Sequence, residues 1–248
     1  MIKIEQVTKK FNAGTANEVV ALKGVNLQIN AGEYVVLIGT NGSGKSTLLN
    51  TIAGAEFVDS GKVSIDSTDV TKLPDYKRSR WLARVMQNPL AGTAPDLSIL
   101  DNFRLAALRT KSKGLKIGTD AAFKSEVKER IAHLGMGLEN KLEQNMGTLS
   151  GGQRQALTIV MSAMDDPKII LLDEPTAALD PQSAETVMQL VEQIRAEFGV
   201  TVILVTHNMR HAHKFGNRLV LMHKGNVQKD LNAAQKAALS VNDIFDWF

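Results

Sequence analysis

Tyr34–Ile38 is an unbroken apolar run that leads directly into Gly39–Thr47, GTNGSGKST, and then into small and leucine residues ending at Gly54. A buried strand, a glycine loop and a helix (Lys45–Ala53) in that order leave little freedom in how this part of the chain folds. Gly42 and Gly44 let the backbone curl so that successive N–H groups point at phosphate oxygens. Lys45 adds a positive charge near the β and γ phosphates, and the following helix turns its positive dipole end toward them. The Ser46 hydroxyl is placed to ligate Mg²⁺. Gly39, Thr40, Asn41, Ser43 and Thr47 complete the candidate nucleotide loop. An incidental lysine in a glycine-rich turn is the plainer reading, and the strand–loop–helix context argues against it.

Ile169–Asp173, IILLD, is a second element of the same kind. Four apolar residues bury a strand, and the carboxylate emerges at its C-terminal end, where open α/β sheets bind ligands. Asp173 can hold Mg²⁺ from the side opposite Ser46. Glu174, one residue farther, can polarise an attacking water as general base.

Around these elements the chain alternates. Ile2–Val7 and Val25–Ile29 read as half-buried antiparallel strands, with a turn-rich excursion over 12–17 between them. Lys62–Ile65 and Ala83–Met86 are further strand candidates. After Gln87 a polar Pro/Gly loop, Asn88–Ser98, precedes helical patterns at Leu100–Leu108 and Ala121–Leu134, punctuated by Gly114, Gly118, Gly135 and Gly137. The α/β rhythm then resumes with strand Ile169–Leu172, helix Ala184–Glu197 and strands Val202–Val205 and Leu219–His223. The expected fold is α/β: a mixed, largely parallel sheet of the phosphate-loop type, an N-terminal antiparallel β sub-domain and an inserted helical sub-domain. One domain spans 1–248, with core segments 1–87 and 166–248 and the helical part at 88–165. The tail from Asn232 reads as a short amphipathic helix whose end, Ile244, Phe245, Trp247 and Phe248, is expected to pack onto the body.

No stretch approaches the roughly 20 apolar residues needed to cross a bilayer. The N-terminus lacks the apolar core of a signal peptide, and the absence of cysteine fits a reducing compartment. A net charge of +3 is spread thinly, and no basic run interleaves with aromatics, so a nucleic-acid surface has little support. A soluble, intracellular protein is expected.

GTNGSGKST, Gln87, LSGGQ (149–153), IILLDEPT, Ala178-Leu179-Asp180 and His207 occur in the order found in ABC-type ATPases, and the resemblance runs from Ile2 to about Lys229. It implies binding and hydrolysis of ATP with Mg²⁺ by a head-to-tail dimer of two copies. Ser150, Gly151, Gly152 and Gln153 of one copy would then cap the nucleotide of the other, and Asp180 would communicate across the dimer. Gln87 would touch Mg²⁺ or the attacking water, His207 the γ-phosphate, and Phe11 would stack on adenine where most relatives carry tyrosine.

The resemblance also implies a separate membrane permease and attachment through it to the cytoplasmic face of the membrane. Leu90, Ala91, Leu97 and Ile99 are candidates to contact that permease, the alternative being that they cover the insertion's own core. The AGTAP segment (91–95) and AGTANE segment (13–18) resemble an importer subgroup that works with extracytoplasmic solute-binding proteins for amino-acid-like solutes. An exporter subunit and a soluble ATPase of iron–sulfur cofactor assembly are the alternatives. His207, His211 and His213 are not expected to form a metal site, since no cysteine accompanies them and His207 has another role.

Overall fold

The computed structural model describes residues 1–109 and 118–248; Gly114 lies outside them. β1 (Ile2–Phe11) and β2 (Val19–Ile29) are antiparallel, with Ile2 opposite Ile29 and Phe11 opposite Val19, joined through the turns at 12–17. β2 starts six residues before the expected Val25, because register shifts between Ile4 and Lys10 break the period-two pattern that alternation relies on. β3 (Tyr34–Ile38) is buried over its whole length and is followed by α1 (Lys45–Ala53). β4 (Ser60–Ile65) and β5 (Thr68–Asp69) complete a small antiparallel sheet of order β2-β1-β4-β5.

α2 (Asp75–Arg78) and β6 (Leu82–Val85) lead into a 3₁₀ turn at Pro89–Gly92. The helical part contains α3 (Ile99–Ala107), α4 (Ala121–Ala132) and α5 (Gly151–Ser162). β7 (Ile169–Asp173), α6 (Pro181–Phe198), β8 (Thr201–Val205), α7 (Met209–Lys214), β9 (Arg218–His223) and β10 (Asn226–Leu231) then close the larger sheet. Its order is β10-β9-β3-β8-β7-β6, parallel from β9 to β6, with β10 antiparallel on the edge.

Alternation along β3 explains why it reads as purely apolar. Val35 and Leu37 face a core shared with α1 and the small sheet, while Tyr34, Val36 and Ile38 face one shared with α5 and α6. Both faces are covered, as parallel strands require. At the end of α1 the buried Arg78 guanidinium donates to the carbonyls of Thr51 and Ile52 at 2.7 and 2.9 Å, filling the last-turn acceptors that no intrahelical N–H reaches.

The tail forms two short helices, α8 (Ala233–Ala237) and α9 (Val241–Phe245). The buried Lys236 ammonium donates to the carbonyls of Phe215 and Gly216 and pins α8 to the body. Ile244 is fully buried and Trp247 half-buried against the core. Phe245 and Phe248, expected to pack inward, are instead half exposed: the five-residue helix turns only one side to the core, and Phe248 lies beyond its end. Ile99 also departs from expectation. It follows Ser98, the N-cap of α3, and turns into the core with Leu100 and Phe103, so it is unavailable to a partner.

Candidate functional site

The phosphate-type loop connects the C-terminal end of β3 to α1, at the edge where Asp173 and the segment after β8 also emerge. Gly39 is buried, and a Cβ on it would lie 2.3 Å from the Met222 carbonyl and 2.6 Å from Ser43 Oγ. Gly44 sits at φ 101° as the N-cap of α1, and no side chain caps this helix. The amides of its first turn are therefore free for an anion. Thr40, Asn41, Gly42 and Ser46 are exposed around that opening. Lys45 is buried, and its Nζ donates to the carbonyls of Gly39 and Thr40 at 2.7 and 3.0 Å. Burial pushes its pKa down, while Glu174 and Asp173 pull it back up.

Ser46 Oγ lies 3.5 Å from Asp173 Oδ1. Gln87 is exposed and lines the same cleft as Asp173, with Arg84, Asn88 and Ala178. Hydroxyl, carboxylate and amide oxygens form a hard-donor set suited to Mg²⁺, which keeps waters and relies on substrate phosphates. Glu174 adopts φ 49°, a left-handed conformation worth about 1 kcal/mol or more of strain for a non-glycine residue. Its N–H donates to Val205 O at 2.9 Å, and its carboxylate Oε2 meets His207 Nδ1 at 3.0 Å. The backbone strain thus aims the carboxylate at the exposed histidine. Phe11 stands apart at the end of β1, half-buried, with the Lys9 ammonium 5.1 Å from its ring centre.

Ser150–Gln153 form a second group at the start of α5. Ser150 Oγ accepts from the Gln153 N–H at 3.2 Å, and Gln153 Oε1 accepts from the Ser150 N–H at 3.1 Å. This reciprocal cap leaves the Ser150 hydroxyl hydrogen free to donate outward. The two glycines differ. A Cβ on Gly152 would lie 2.6 Å from Ser183 Oγ, so Gly152 is required for packing against α6, whereas Gly151 is exposed. Asp180 caps α6, accepting from the N–H groups of Gln182 and Ser183 at 3.1 and 3.0 Å, and hydrogen bonding from Ser183, by its side chain first and then its backbone, holds the carboxyl below the usual range.

His211 and His213 are engaged elsewhere: His213 Nε2 with the Leu239 carbonyl at 2.9 Å, and His211 edge-on to Phe215. Among the described residues no cluster of three or more His, Cys, Asp or Glu could hold a metal ion. Two residues escaped the reading of motifs. Arg154 donates to the carbonyls of Met146, Gly147 and Leu149 and fixes the segment entering α5. Arg84 touches Asp173, and its only sequence signal is a charge inside an apolar strand.

A family model described as ABC transporter matches residues 22–177. The chain belongs to the ABC transporter family. This ABC ATPase is 38% identical over 249 residues to a tyrosine transport ATP-binding protein of Clostridioides difficile, covering 100% of the chain and 98% of the relative. It is 32% identical to a phosphonates import ATP-binding protein of Agrobacterium fabrum, over 98% of the chain and 83% of that relative. Among solved structures, the dimeric ATP-binding cassette MJ0796 with ADP and Pi, a Methanocaldococcus jannaschii ABC transporter protein, superposes with a TM-score of 0.80 at 32% identity, covering 94% of the chain and 99% of that one. The ABC ATPase is accordingly an ATP-binding and ATP-hydrolysing transporter subunit with the α/β fold expected of it. Among the described residues no helix is long and apolar enough to cross a membrane.

Proposed function

We propose that this ATPase drives the import of amino-acid-like solutes, of which tyrosine is a member, through a separate permease that receives cargo from an extracytoplasmic solute-binding protein. The 3.0 Å contact between Glu174 and His207 beside Lys45 and Asp173 carries the catalytic part of this reading. The likeness to a tyrosine transport protein over the whole chain supports the cargo class.

The amides at the start of α1 and the Lys45 ammonium take the phosphates, and Phe11 stacks on the base. Ser46, Asp173 and Gln87 would hold Mg²⁺, which would supply positive charge to offset the negative charge of the phosphates. Glu174 accepts a proton from the attacking water, and His207 keeps that carboxylate aimed while contacting the γ-phosphate. Ser150, Gly151, Gly152, Gln153 and Asp180 belong to the face that closes over the nucleotide of a second copy, in keeping with the dimeric solved relative. Binding of ATP joins the copies and hydrolysis releases them, so that free energy emerges as movement.

The core segments 1–87 and 166–248 bind nucleotide, and the helical part 88–165 meets the permease at the cytoplasmic face of the membrane. Leu90, Ala91 and Leu97 are exposed and suit that contact. Replacing Leu90 and Leu97 together with Asp is expected to abolish transport and copurification of a membrane protein, with the purified domain still folded and hydrolysing ATP. Intact transport by the double variant would remove this contact from the proposal.

A further inference from the structure

Arg84 is the one charged residue of β6. In the parallel ladder it stands opposite Leu171, so it shares a face with Asp173 two residues farther along β7. Its Nη2 lies 3.4 Å from Asp173 Oδ2, while the other carboxylate oxygen, Oδ1, is the one turned toward Ser46 Oγ. Both side chains are largely withdrawn from water, at 20% and 17% exposure, so their attraction is weakly screened. Among the described residues Arg84 Nε is buried without an acceptor, and the contact with Asp173 orients the guanidinium.

The charges of this cluster balance. Asp173 and Glu174 contribute two negative charges, Lys45 and Arg84 two positive ones, and Lys45 feels both carboxylates. A neutral cluster offers a divalent cation little net attraction, whereas a triphosphate brings its own negative charge into the loop. From this balance we propose that Arg84 is a positioning residue that orients Asp173 and compensates its charge, so that the site takes a divalent cation only together with the nucleotide. The proposal rests on Asp173 being a metal ligand.

Mn²⁺ binding, followed by the electron paramagnetic signal of the free ion, tests it on the full chain without nucleotide. Arg84→Gln and Arg84→Met, the second keeping the apolar stem, are expected to bind one Mn²⁺ about tenfold more tightly than the parent, as loss of a nearby positive charge implies. Arg84→Lys is expected to return the parent's weak binding, and adding Asp173→Asn to Arg84→Gln to remove the gain. A purely structural Arg84 would lower thermal stability and leave Mn²⁺ affinity where it was. Folded Gln and Met variants with the parent's affinity would overturn the proposal. Asp173→Asn separates the two readings: if it weakens Mn²⁺ binding in the presence of ATP while the Arg84 variants change nothing, the metal assignment stands and only the role of Arg84 falls. If it leaves Mn²⁺–ATP binding unchanged, both fall.

Discussion

Two helices of this chain start in glycine-rich motifs, and they start differently. α1 begins at Gly44 in a left-handed conformation with no side-chain cap, so its first-turn donors and the Lys45 charge face an opening. α5 begins at Ser150, whose reciprocal cap with Gln153 satisfies the N–H groups of those two residues. The first helix start needs an anion to be complete. The second is partly satisfied by its own side chains and offers an outward hydroxyl and the bare backbone of Gly151, a surface suited to lie against something already bound. In the proposed reading one motif holds a phosphate and the other covers it, so both belong to one site only when two copies meet.

Variants can break this comparison. The largest effect is expected for Lys45→Ala: ATP affinity, measured by calorimetry, falls by roughly 100-fold, as loss of charged hydrogen bonds worth about 3 kcal/mol implies. Unchanged binding would deprive α1 of its role. Gly152→Ala is expected to cost about 1–3 kcal/mol in denaturant unfolding, because the new methyl meets Ser183. Gly151→Ala should instead change stability by less than about 0.5 kcal/mol while weakening ATP-dependent dimerisation; equal behaviour of the two glycines would erase the distinction drawn between them. Ser150→Ala removes the cap of α5 and is expected to cost about 1 kcal/mol of stability, with ATPase activity lowered through the lost outward hydroxyl.

Legibility in the sequence followed the range of the interactions. The phosphate loop, the IILLDE strand end and the LSGGQ helix start depend on neighbours within a few residues, so spacing and residue type suffice. Gly152 is different: its need for glycine comes from Ser183, on another helix. The start of β2 was hidden by bulges, which offset the alternation that marks a strand. Leu97 and Ile99 lie two residues apart on either side of Ser98, and the cap that Ser98 forms sends one inward and leaves the other exposed. Arg84 escaped notice because its partner Asp173 belongs to a strand paired with it through the ladder rather than through the chain. Pairings of that length leave little local trace.

The most direct test of two complementary helix starts is the mass in solution of Glu174→Gln with Mg²⁺ and ATP. Removing the proposed general base should slow hydrolysis by about 100-fold or more and leave ATP trapped between copies. Light scattering is then expected to report a dimer with ATP and a monomer with ADP. A Glu174→Gln protein that stays monomeric at saturating ATP, or that hydrolyses ATP at the parent's rate, would contradict the shared site.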